Sequence, residues 1–343
     1  MDRTRKYLFS NFISSFASLF STLFIIMSIV FFLQIARITS FIEINLVELI
    51  KLYLFMLPRI LIFTVPIAFF VALTMALFRL SKENETIVIF TIGYETRKIA
   101  SFFFIVALIA SAFLLFVSLV MMPIAENLKE NFIDYKKAKA TLNIKSSEFG
   151  QKFGDWLVFI EDQNDEGNRT IYKNLVMYNP GKKNENEQMI IADHGEFKHV
   201  RANFLVELQD GKAYTMKDDS WHITNFESLI IRTLANSKVR EVSAVMQYWQ
   251  EMKTSQKRKK DFSIYVLVSL FPIASVFFAL SLGIVTYRYE KGFVYGGIFG
   301  VLFVYFAFIM ILAKMPQIAI PVTFLLSLIA SYIYYKVKIA VRY

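Results

Sequence analysis

The sequence predicts a membrane α-helical protein with six transmembrane helices and an inserted β-jellyroll-like domain. Of the 343 residues, 56% are apolar and the mean hydropathy is positive, which is typical of integral membrane proteins. Long uncharged runs occur in two groups of three, and a polar middle region separates the groups. This middle region, residues 123–261, has the pattern of short strands with turn residues between them.

Six uncharged runs are long enough to be membrane helices, since about 20 apolar residues cross the hydrocarbon core of a bilayer. They are Leu8–Ala36, Ile60–Phe78, Ile99–Met122, Phe262–Tyr287, Gly292–Ala313 and Met315–Tyr335. We therefore expect helices 1–3 within residues 1–122 and helices 4–6 within residues 262–343. The runs contain no central acidic or basic residue, which argues against a proton-driven carrier.

A weaker amphipathic segment, Ile44–Leu57, precedes the second run. Its pattern predicts a helix that lies along the membrane surface. Pro58 follows directly and is expected to end that helix, because proline removes a backbone donor and clashes with the preceding turn.

The charged segment Arg79–Lys98 separates the second and third runs and must therefore lie at one membrane face. It is long enough for one short helix, which we expect at residues 81–93. Ser81 is the expected N-cap of this helix. Gly93 is the expected terminator, because glycine readily adopts the left-handed conformation that ends many helices.

This short helix combines carboxylates with an apolar flank. Glu83 and Glu85 lie in its first turn, where the helix dipole favours negative charge. Helical spacing places Val88, Ile89 and Ile92 on the same face as Glu85. Such a helix suits the groove of a soluble partner. The alternative is a connecting helix that lies in the lipid interface with its charges directed to water.

The middle region predicts eight short strands between residues 156 and 231, with flanking helices at 123–140 and at Val239–Lys253. Turn residues separate the strands at NDEGN, NPGKKNEN, DHG and QDG. This spacing indicates a β-sandwich or jelly roll. Several strands are apolar on both faces, which suggests a two-sheet core, an edge that pairs with another subunit, or an apolar slot for a lipid.

The distribution of basic residues predicts the orientation, because an even number of spans places both termini on one side. The short segments on the side of the termini carry twelve basic residues and those on the other side carry four. The twelve are Arg3, Arg5, Lys6, Arg79, Lys82, Arg97, Lys98, Arg288, Lys291, Lys336, Lys338 and Arg342; the four are Arg37, Lys51, Arg59 and Lys314. Positive residues favour the cytoplasm, so we expect cytoplasmic termini and a β domain outside the cytoplasm.

A basic cluster at the outer end of the fourth run opposes this charge rule. It consists of Lys253, Lys257, Arg258, Lys259 and Lys260. The cluster is either a solvated charge run or a contact for an anionic ligand such as a phosphorylated lipid, and Lys314 offers a similar contact.

The fifth run carries Gly292, Gly296 and Gly300 four residues apart, with Gly297 beside them. Small residues at this spacing allow helices to approach closely. The stripe therefore predicts either static helix packing or a helix that moves at a lateral gate.

Several site types are missing from the sequence. There is no cysteine, which excludes disulfides and thiol chemistry. There is no GxxxxGK[ST] phosphate loop. The three histidines, His194, His199 and His222, lie in the strand region without an HExxH pattern. We therefore predict no catalytic, metal or cofactor site in this chain.

The order of parts resembles the LptF/LptG (YjgP/YjgQ) family of lipopolysaccharide export permeases over nearly the whole chain. The most specific match is VPIAFFVALTMALFRLSKENETIVIFTIGY, which contains that family's proline-containing helix, its acidic segment and the following glycine. The segments IADHGEFKHV and ITNFESL are similar to the family's jellyroll strands and are closer to the LptF branch.

The resemblance implies a permease subunit of an ABC transporter that extracts lipopolysaccharide from the bacterial inner membrane. A second permease of the family would form a pseudo-symmetric heterodimer with it, an LptB dimer would hydrolyse ATP, and LptC and LptA would receive the lipid in the periplasm. Residues 81–93 would be the coupling helix, which includes Glu83, Ile89 and Gly93 and is preceded by Arg79. Glu85 would be the coupling carboxylate.

The resemblance also implies contacts with the lipid headgroup. Lys314 lies where the family has a basic residue near that headgroup. In the first span Arg37 follows Ile35 and Ala36, which departs from the family's basic pattern. Arg258 and Lys259 complete the candidates for headgroup contact.

Two other classes of protein remain open from the residues alone. One is a different force-transmitting ABC permease, for example for lipoprotein release, although such permeases usually have four spans. The other is a membrane-tethered periplasmic scaffold protein.

Overall fold

The computed structural model describes residues 3–39, 44–140, 151–153, 156–166, 169–180, 187–200, 203–217, 220–234, 245–284 and 291–340. The chain divides into two compact units. One is helical and comprises Met1–Ile38, Asn45–Lys129 and Glu241–Tyr343, and the other comprises Thr39–Ile44 and Glu130–Arg240 and contains the strands.

Nine α-helices occur in the described part of the chain. They are α1 (Arg3–Thr39), α2 (Leu46–Lys82), α3 (Glu85–Thr91), α4 (Thr96–Phe116), α5 (Met122–Ala140), α6 (Val245–Gln250), α7 (Gln256–Gly283), α8 (Lys291–Leu312) and α9 (Pro316–Tyr335). Six stretches of these described helices are long and apolar enough to cross a membrane: Arg3–Arg37, Leu46–Lys82, Thr96–Asp134, Gln256–Gly283, Gly292–Leu312 and Pro316–Ile339. The six predicted spans are thereby confirmed.

The second span differs from its prediction at its N-terminal end. Residues 46–57 continue directly into the span, so the predicted surface helix with a break at Pro58 is wrong. The continuous helix begins with a capping box, in which the Asn45 side chain caps the first turn and the Glu48 carboxylate accepts from the Asn45 amide. Pro58 and Pro66 lie inside the helix, where the surrounding helices tolerate them as in other membrane spans.

Helices α2 and α7 form the centre of the helical unit. Gly283, the last residue of α7, lies so close to α2 that an added Cβ would be 2.6 Å from the Leu77 Cβ and 2.8 Å from the Thr74 carbonyl oxygen. In the most apolar stretch of each span, 67% of the α2 residues and 78% of the α7 residues are buried, compared with 6% in α1 and 22% in both α8 and α9. The first, fifth and sixth spans are therefore the least buried helices of this bundle.

The third span continues as a helix to Ala140, as predicted for residues 123–140. A π-helical turn at Val117–Met121 joins α4 to α5. Such a turn disturbs the regular backbone pattern, and here the Leu119 carbonyl accepts a 2.9 Å hydrogen bond from the Trp249 indole of α6. Helix α6 and the 3-10 turn Glu251–Lys253 confirm the second half of the predicted helix Val239–Lys253; its first six residues lie outside the described residues.

The inserted β domain is confirmed as a six-stranded antiparallel sheet. Its strands are β1 (Gln151–Phe153), β2 (Trp156–Glu166), β3 (Arg169–Asn179), β4 (Gln188–Val200), β5 (Asn203–Lys217) and β6 (Ser220–Leu234). Each strand pairs with the next along the chain. Alternating apolar residues such as Val158, Ile160, Leu175 and Met177 form its core. The described strands belong to one sheet, so the predicted two-sheet arrangement is wrong for this part of the chain.

The prediction of eight strands is also wrong, because β4, β5 and β6 each combine two predicted strands. The turn signals DHG and QDG lie inside β4 and β5 rather than between strands. Asp210 has a positive φ of 52°, and its neighbour Gly211 packs tightly against the backbone of Ile191 and Ala192. Asn174 in β3 has a φ of 51°. These residues kink strands that nevertheless continue, which explains turn-like residues in mid-strand.

Candidate functional site

The short helix α3 follows α2 with only two residues between them. Asn84 connects the two helices in the left-handed conformation, with a φ of 61°. Ser81 belongs to the last turn of α2, so its predicted role as the N-cap of the short helix is wrong. The helix therefore starts at Glu85, four residues later than expected, because the left-handed Asn84 and not Ser81 marks its beginning.

Gly93 ends this region as predicted. Its φ is 84°, and its amide donates to the Phe90 carbonyl at 2.9 Å. The Tyr94 amide donates to the Ile89 carbonyl at 3.2 Å. These two bonds form a Schellman motif, in which glycine is preferred because a Cβ disfavours the left-handed conformation.

Helix α3 divides its apolar residues between the protein core and the surface. Ile89 is 9% exposed and packs into the helical core. Ile87, Val88 and Ile92 are 51%, 55% and 79% exposed. The predicted single face of Val88, Ile89 and Ile92 is therefore wrong, since Ile89 anchors the helix and the others form an uncovered apolar surface. We call Ile87, Val88 and Ile92 the α3 surface.

Three side-chain hydrogen bonds join the N-terminal helix α1 to the α3 region. The Tyr7 hydroxyl donates to the Glu85 carboxylate at 2.5 Å. The Arg5 guanidinium donates to the Tyr94 hydroxyl at 3.2 Å. The Arg79 guanidinium donates to the Asn11 side-chain oxygen at 2.5 Å. Bonds on both sides of α3 therefore connect this region to the first span.

A second set of contacts joins α3 to the centre of the bundle. The Ser81 hydroxyl donates to the Gly283 carbonyl at 3.1 Å, across the close approach of α2 and α7. The Thr86 hydroxyl of α3 lies 3.4 Å from the Ser81 hydroxyl. Both side chains are buried. A displacement of α3 would consequently act on α2 and α7 as well as on α1. Glu83, by contrast, is exposed at the C-terminal end of α2.

The N-terminal half of α2 carries a partly buried ionic cluster. The Arg59 guanidinium lies 3.2 Å from the Glu126 carboxylate and donates to the Tyr265 hydroxyl at 3.1 Å. The Lys129 ammonium lies 2.5 Å from the second carboxylate oxygen. We call Arg59, Glu126, Lys129 and Tyr265 the ionic cluster. Twenty-two residues separate Arg59 from Ser81, so the cluster and the α3 region lie about 33 Å apart, a bilayer's thickness.

Arg258, a candidate for headgroup contact, is engaged within the chain. Its guanidinium lies 3.8 Å above the centre of the Tyr248 ring and 3.3 Å from the Glu251 carboxylate, and it donates to the Tyr248 hydroxyl. Burial raises the pKa of the Tyr248 phenol, which therefore stays neutral. The Arg258 side chain is only 11% exposed, so it is positioned mainly to hold α6 against α7.

The other headgroup candidates are more accessible. Lys259 is half-buried, whereas Arg37 and Lys314 are exposed.

The glycine stripe of α8 makes no close contact with another described helix, and Gly300 lines a cavity between α7, α8 and α9. A Cβ added at Gly292, Gly296 or Gly300 would have no described neighbour within 4 Å. Gly297, in contrast, lies against Leu282 of α7, where an added Cβ would be 2.6 Å from a side-chain carbon. The close helix contact within the chain is thus made by Gly297, and the stripe itself is open.

Sequence reasoning missed the residues that hold these regions together. No role was predicted for Tyr7, Asn11 and Glu126, because they lie in or beside apolar runs and match no motif. One available signal was the free-energy cost of placing an unpaired charge in or beside a membrane span. This cost predicts that Arg59 and Glu126 each form an ion pair.

Comparisons with known proteins identify the family. A search of curated proteins finds no match. The family profile described as lipopolysaccharide export system permease LptF/LptG matches residues 6–336, which is nearly the whole chain. The chain therefore belongs to the LptF/LptG family of lipopolysaccharide export permeases.

Proposed function

We propose that this chain is a permease subunit of an ABC transporter that extracts lipopolysaccharide from the inner membrane and passes it to a periplasmic β-jellyroll bridge. Family membership supports lipopolysaccharide export as the general function. The single observation that carries the coupling role is α3, which exposes an apolar surface, is joined by hydrogen bonds to α1 and α2, and is connected through Ser81 to α7.

The α3 surface is the proposed docking site for the ATPase dimer, LptB. Three exposed apolar side chains on a short helix suit a hydrophobic groove in a soluble partner. Glu85 lies at the start of the same helix and accepts from Tyr7. In this proposal Arg79, Glu83 and Gly93 frame the docking helix, and ATP is hydrolysed by the partner.

The contacts of α3 provide the route by which ATP-driven closure moves the spans. Ile89 and the Thr86–Ser81–Gly283 contact pass a displacement to α2 and α7. The Tyr7–Glu85 hydrogen bond passes it to α1. Because α1 is among the least buried spans, its displacement costs fewer packing contacts than a displacement of α2 or α7 would.

The outer helices α1 and α8 are the proposed walls of the lipid path. Both expose large apolar side chains, and α8 carries the open glycine stripe. A second permease of the family would face these helices and complete a cavity that narrows during the cycle. Lipid would then pass to the β domain and to LptC and LptA. The headgroup contacts proposed on this path are Arg37, Lys314 and Lys259, with a minor share for Arg258.

This function is tested by affinity purification of the chain from its membrane in mild detergent, with partners and bound lipid identified together. We expect a cytoplasmic ATPase and lipopolysaccharide. A variant with Val88→Asp in the α3 surface should lose the ATPase, while Met246→Asp, at an exposed position on α6 outside the spans, should keep it. Recovery of the chain without an ATPase would contradict the proposal and favour a scaffold, and a copurified lipoprotein would favour a lipoprotein permease.

The proposed orientation places both termini and α3 in the cytoplasm and the β domain in the periplasm. The chain has no cysteine, so a single introduced thiol reports its own location. In intact cells, a membrane-impermeant maleimide should label Ser220→Cys in β6 and should not label Thr91→Cys in α3, both of which are exposed. The reverse labelling pattern would overturn the orientation.

A further inference from the structure

A cavity lies at the membrane face that carries α3. It is a cleft of about 950 Å³ between α4, α7 and α9, and it is separate from the contacts of α3 itself. Its rim contains Arg97, the second residue of α4, and Lys336, which directly follows α9. Both side chains are exposed, and neither forms an ion pair with a residue that the structure describes. The rim therefore has two positive charges without a described counter-charge.

The depth of the cleft is apolar and aromatic. Phe104 of α4 stacks on Phe277 of α7, with ring centres 5.8 Å apart. Tyr332 of α9 meets the edge of Phe277, and Leu328 continues the wall. From Arg97 to Phe104 the helix rises about 10 Å, so the cleft reaches from the membrane face into the first third of a hydrocarbon core of about 30 Å.

One buried polar group also lines this cleft. The Tyr335 side chain is 4% exposed and lies beside Thr96, yet its hydroxyl has no hydrogen bond of normal geometry among the described residues. Buried hydroxyl groups usually have a partner. The cleft thus offers two cations at the rim, a hydroxyl near the rim and an apolar interior.

We propose that this cleft binds an anionic glycerophospholipid from the leaflet on the α3 side of the membrane. The phosphate would pair with Arg97 and Lys336, and the first part of the acyl chains would lie along Phe104, Phe277 and Leu328. A free phosphate ion would leave the apolar depth empty, and a zwitterionic lipid would pair with the two cations less well. The assignment does not rest on the proposed export function, because it is argued from the charges and the apolar lining of the cleft.

The bound lipid would act as a wedge between three spans. Helices α7 and α9 share an extensive aromatic contact at Phe277 and Tyr335, whose ring centres lie 5.5 Å apart. Protein interiors have few voids larger than a water molecule. A cleft of this size beside the aromatic contact is therefore expected to hold a bound molecule, and the lipid would fill it. The site would therefore be a resident lipid site rather than a path for cargo.

Native mass spectrometry of the delipidated full-length chain in detergent tests this site. The probes are phosphatidylglycerol, phosphatidylcholine and glycerol 3-phosphate. We expect phosphatidylglycerol to bind at least tenfold more tightly than phosphatidylcholine, and glycerol 3-phosphate to give no adduct. The double variant Arg97→Gln/Lys336→Gln should weaken phosphatidylglycerol binding about tenfold.

Two further variants distinguish the cleft from general charge attraction. Lys6→Gln/Lys98→Gln removes two exposed charges from the same membrane face outside the cleft and should leave binding unchanged. Ser101→Trp places a bulky side chain in the cleft and should weaken binding while Arg97 and Lys336 remain. Equal binding of phosphatidylglycerol and phosphatidylcholine, equal losses in the two double variants, or tight binding of glycerol 3-phosphate would each overturn the proposal.

Discussion

The Tyr7 hydroxyl donates a 2.5 Å hydrogen bond to the Glu85 carboxylate and thereby joins α1 to α3 through two residues that are 78 positions apart in sequence. Tyr7 lies near the start of the first span, one of the least buried helices of the bundle. Glu85 begins the helix that we propose as the docking site of the ATPase. This contact therefore connects the proposed site of force with a proposed wall of the lipid path.

Replacing Glu85 with alanine should abolish ATP-driven lipopolysaccharide transport while the protein remains in the membrane. The carboxylate is half-buried and is the group that Tyr7 contacts, so its loss removes a link between α3 and α1. The measurement is lipid release from proteoliposomes that contain both permeases and the ATPase, with a fall of at least tenfold expected. Glu95→Ala is the control, because Glu95 is exposed on the same membrane face and, among the described residues, forms an ion pair only with Lys98. Transport at the normal rate in Glu85→Ala would count against the coupling role.

Replacing Tyr7 with phenylalanine should loosen α3 without unfolding the bundle. A hydrogen bond contributes about 1 kcal/mol, which corresponds to roughly a fivefold change in an opening equilibrium. Hydrogen exchange of the amides in Glu85–Thr91 should therefore accelerate about fivefold, while exchange in α7 stays the same. Tyr295→Phe, at an exposed position on α8, serves as the matched control. Unchanged exchange in α3 would mean that the Tyr7–Glu85 bond does not restrain the helix.

The helices of this fold were largely predictable because their signal is strong and local. An uncharged run of about 20 residues has few stable alternatives to a membrane helix, and all six spans were identified in this way. The ends were less predictable. Pro58 normally stops a helix in water, but inside a packed bundle neighbouring groups tolerate the lost backbone bond, so α2 continues through it.

The strands were predictable in kind but not in number. Asp210 and Gly211 have the composition of a turn, and the backbone at Asp210 is indeed left-handed. Pairing with β4 and β6 nevertheless carries the strand past this point. Whether such a residue ends a strand or only kinks it depends on the neighbouring strands, which local sequence does not specify.

The candidate site was predictable only where one residue carried the signal. Gly93 was identified as a terminator because the left-handed conformation favours glycine. The partners of Glu85 were not identifiable, since Tyr7 is distant in sequence and reaches it only through the packing of α1. The division of α3 into a buried Ile89 and an exposed Val88 also depends on which neighbours surround the helix.

Replacing Gly283 with alanine should destabilise the protein by about 1–3 kcal/mol, because overpacking of a close helix contact forces backbone shifts. The added Cβ would be 2.6 Å from the Leu77 Cβ and 2.8 Å from the Thr74 carbonyl oxygen. Thermal unfolding in detergent, followed by tryptophan fluorescence, should show a lower midpoint. Gly296→Ala is the matched control, because nothing lies within 4 Å of its added Cβ, and alanine favours helix. Equal midpoints for the two variants would contradict the close approach of α2 and α7.

Replacing Gly296 with leucine tests the proposed role of the open glycine stripe. The isolated chain should keep its thermal midpoint, because the larger side chain points into open space. Pairing with the second permease should weaken, since small residues permit close helix approach and leucine prevents it. The measurements are the thermal midpoint of the single chain and the yield of the paired permeases after copurification. Phe308→Leu, at an exposed position about 120° around the same helix from Gly296, should leave both quantities unchanged. Normal pairing in Gly296→Leu would exclude the stripe from the interface.

Replacing Glu126 with glutamine should destabilise the protein by about 2 kcal/mol, because it leaves Arg59 and Lys129 partly buried without their carboxylate. The Glu126 side chain is 11% exposed and that of Arg59 is 33% exposed, so solvent compensates only a part of the lost attraction. Glu251→Gln is the control; that carboxylate is 48% exposed, and its loss should cost less than about 1 kcal/mol. The double variant Arg59→Met/Glu126→Leu should recover much of the stability, because removing both charges also removes their desolvation penalty. A neutral effect of Glu126→Gln in denaturant unfolding, or a double variant less stable than the single one, would show that the ionic cluster does not hold α2, α5 and α7 together.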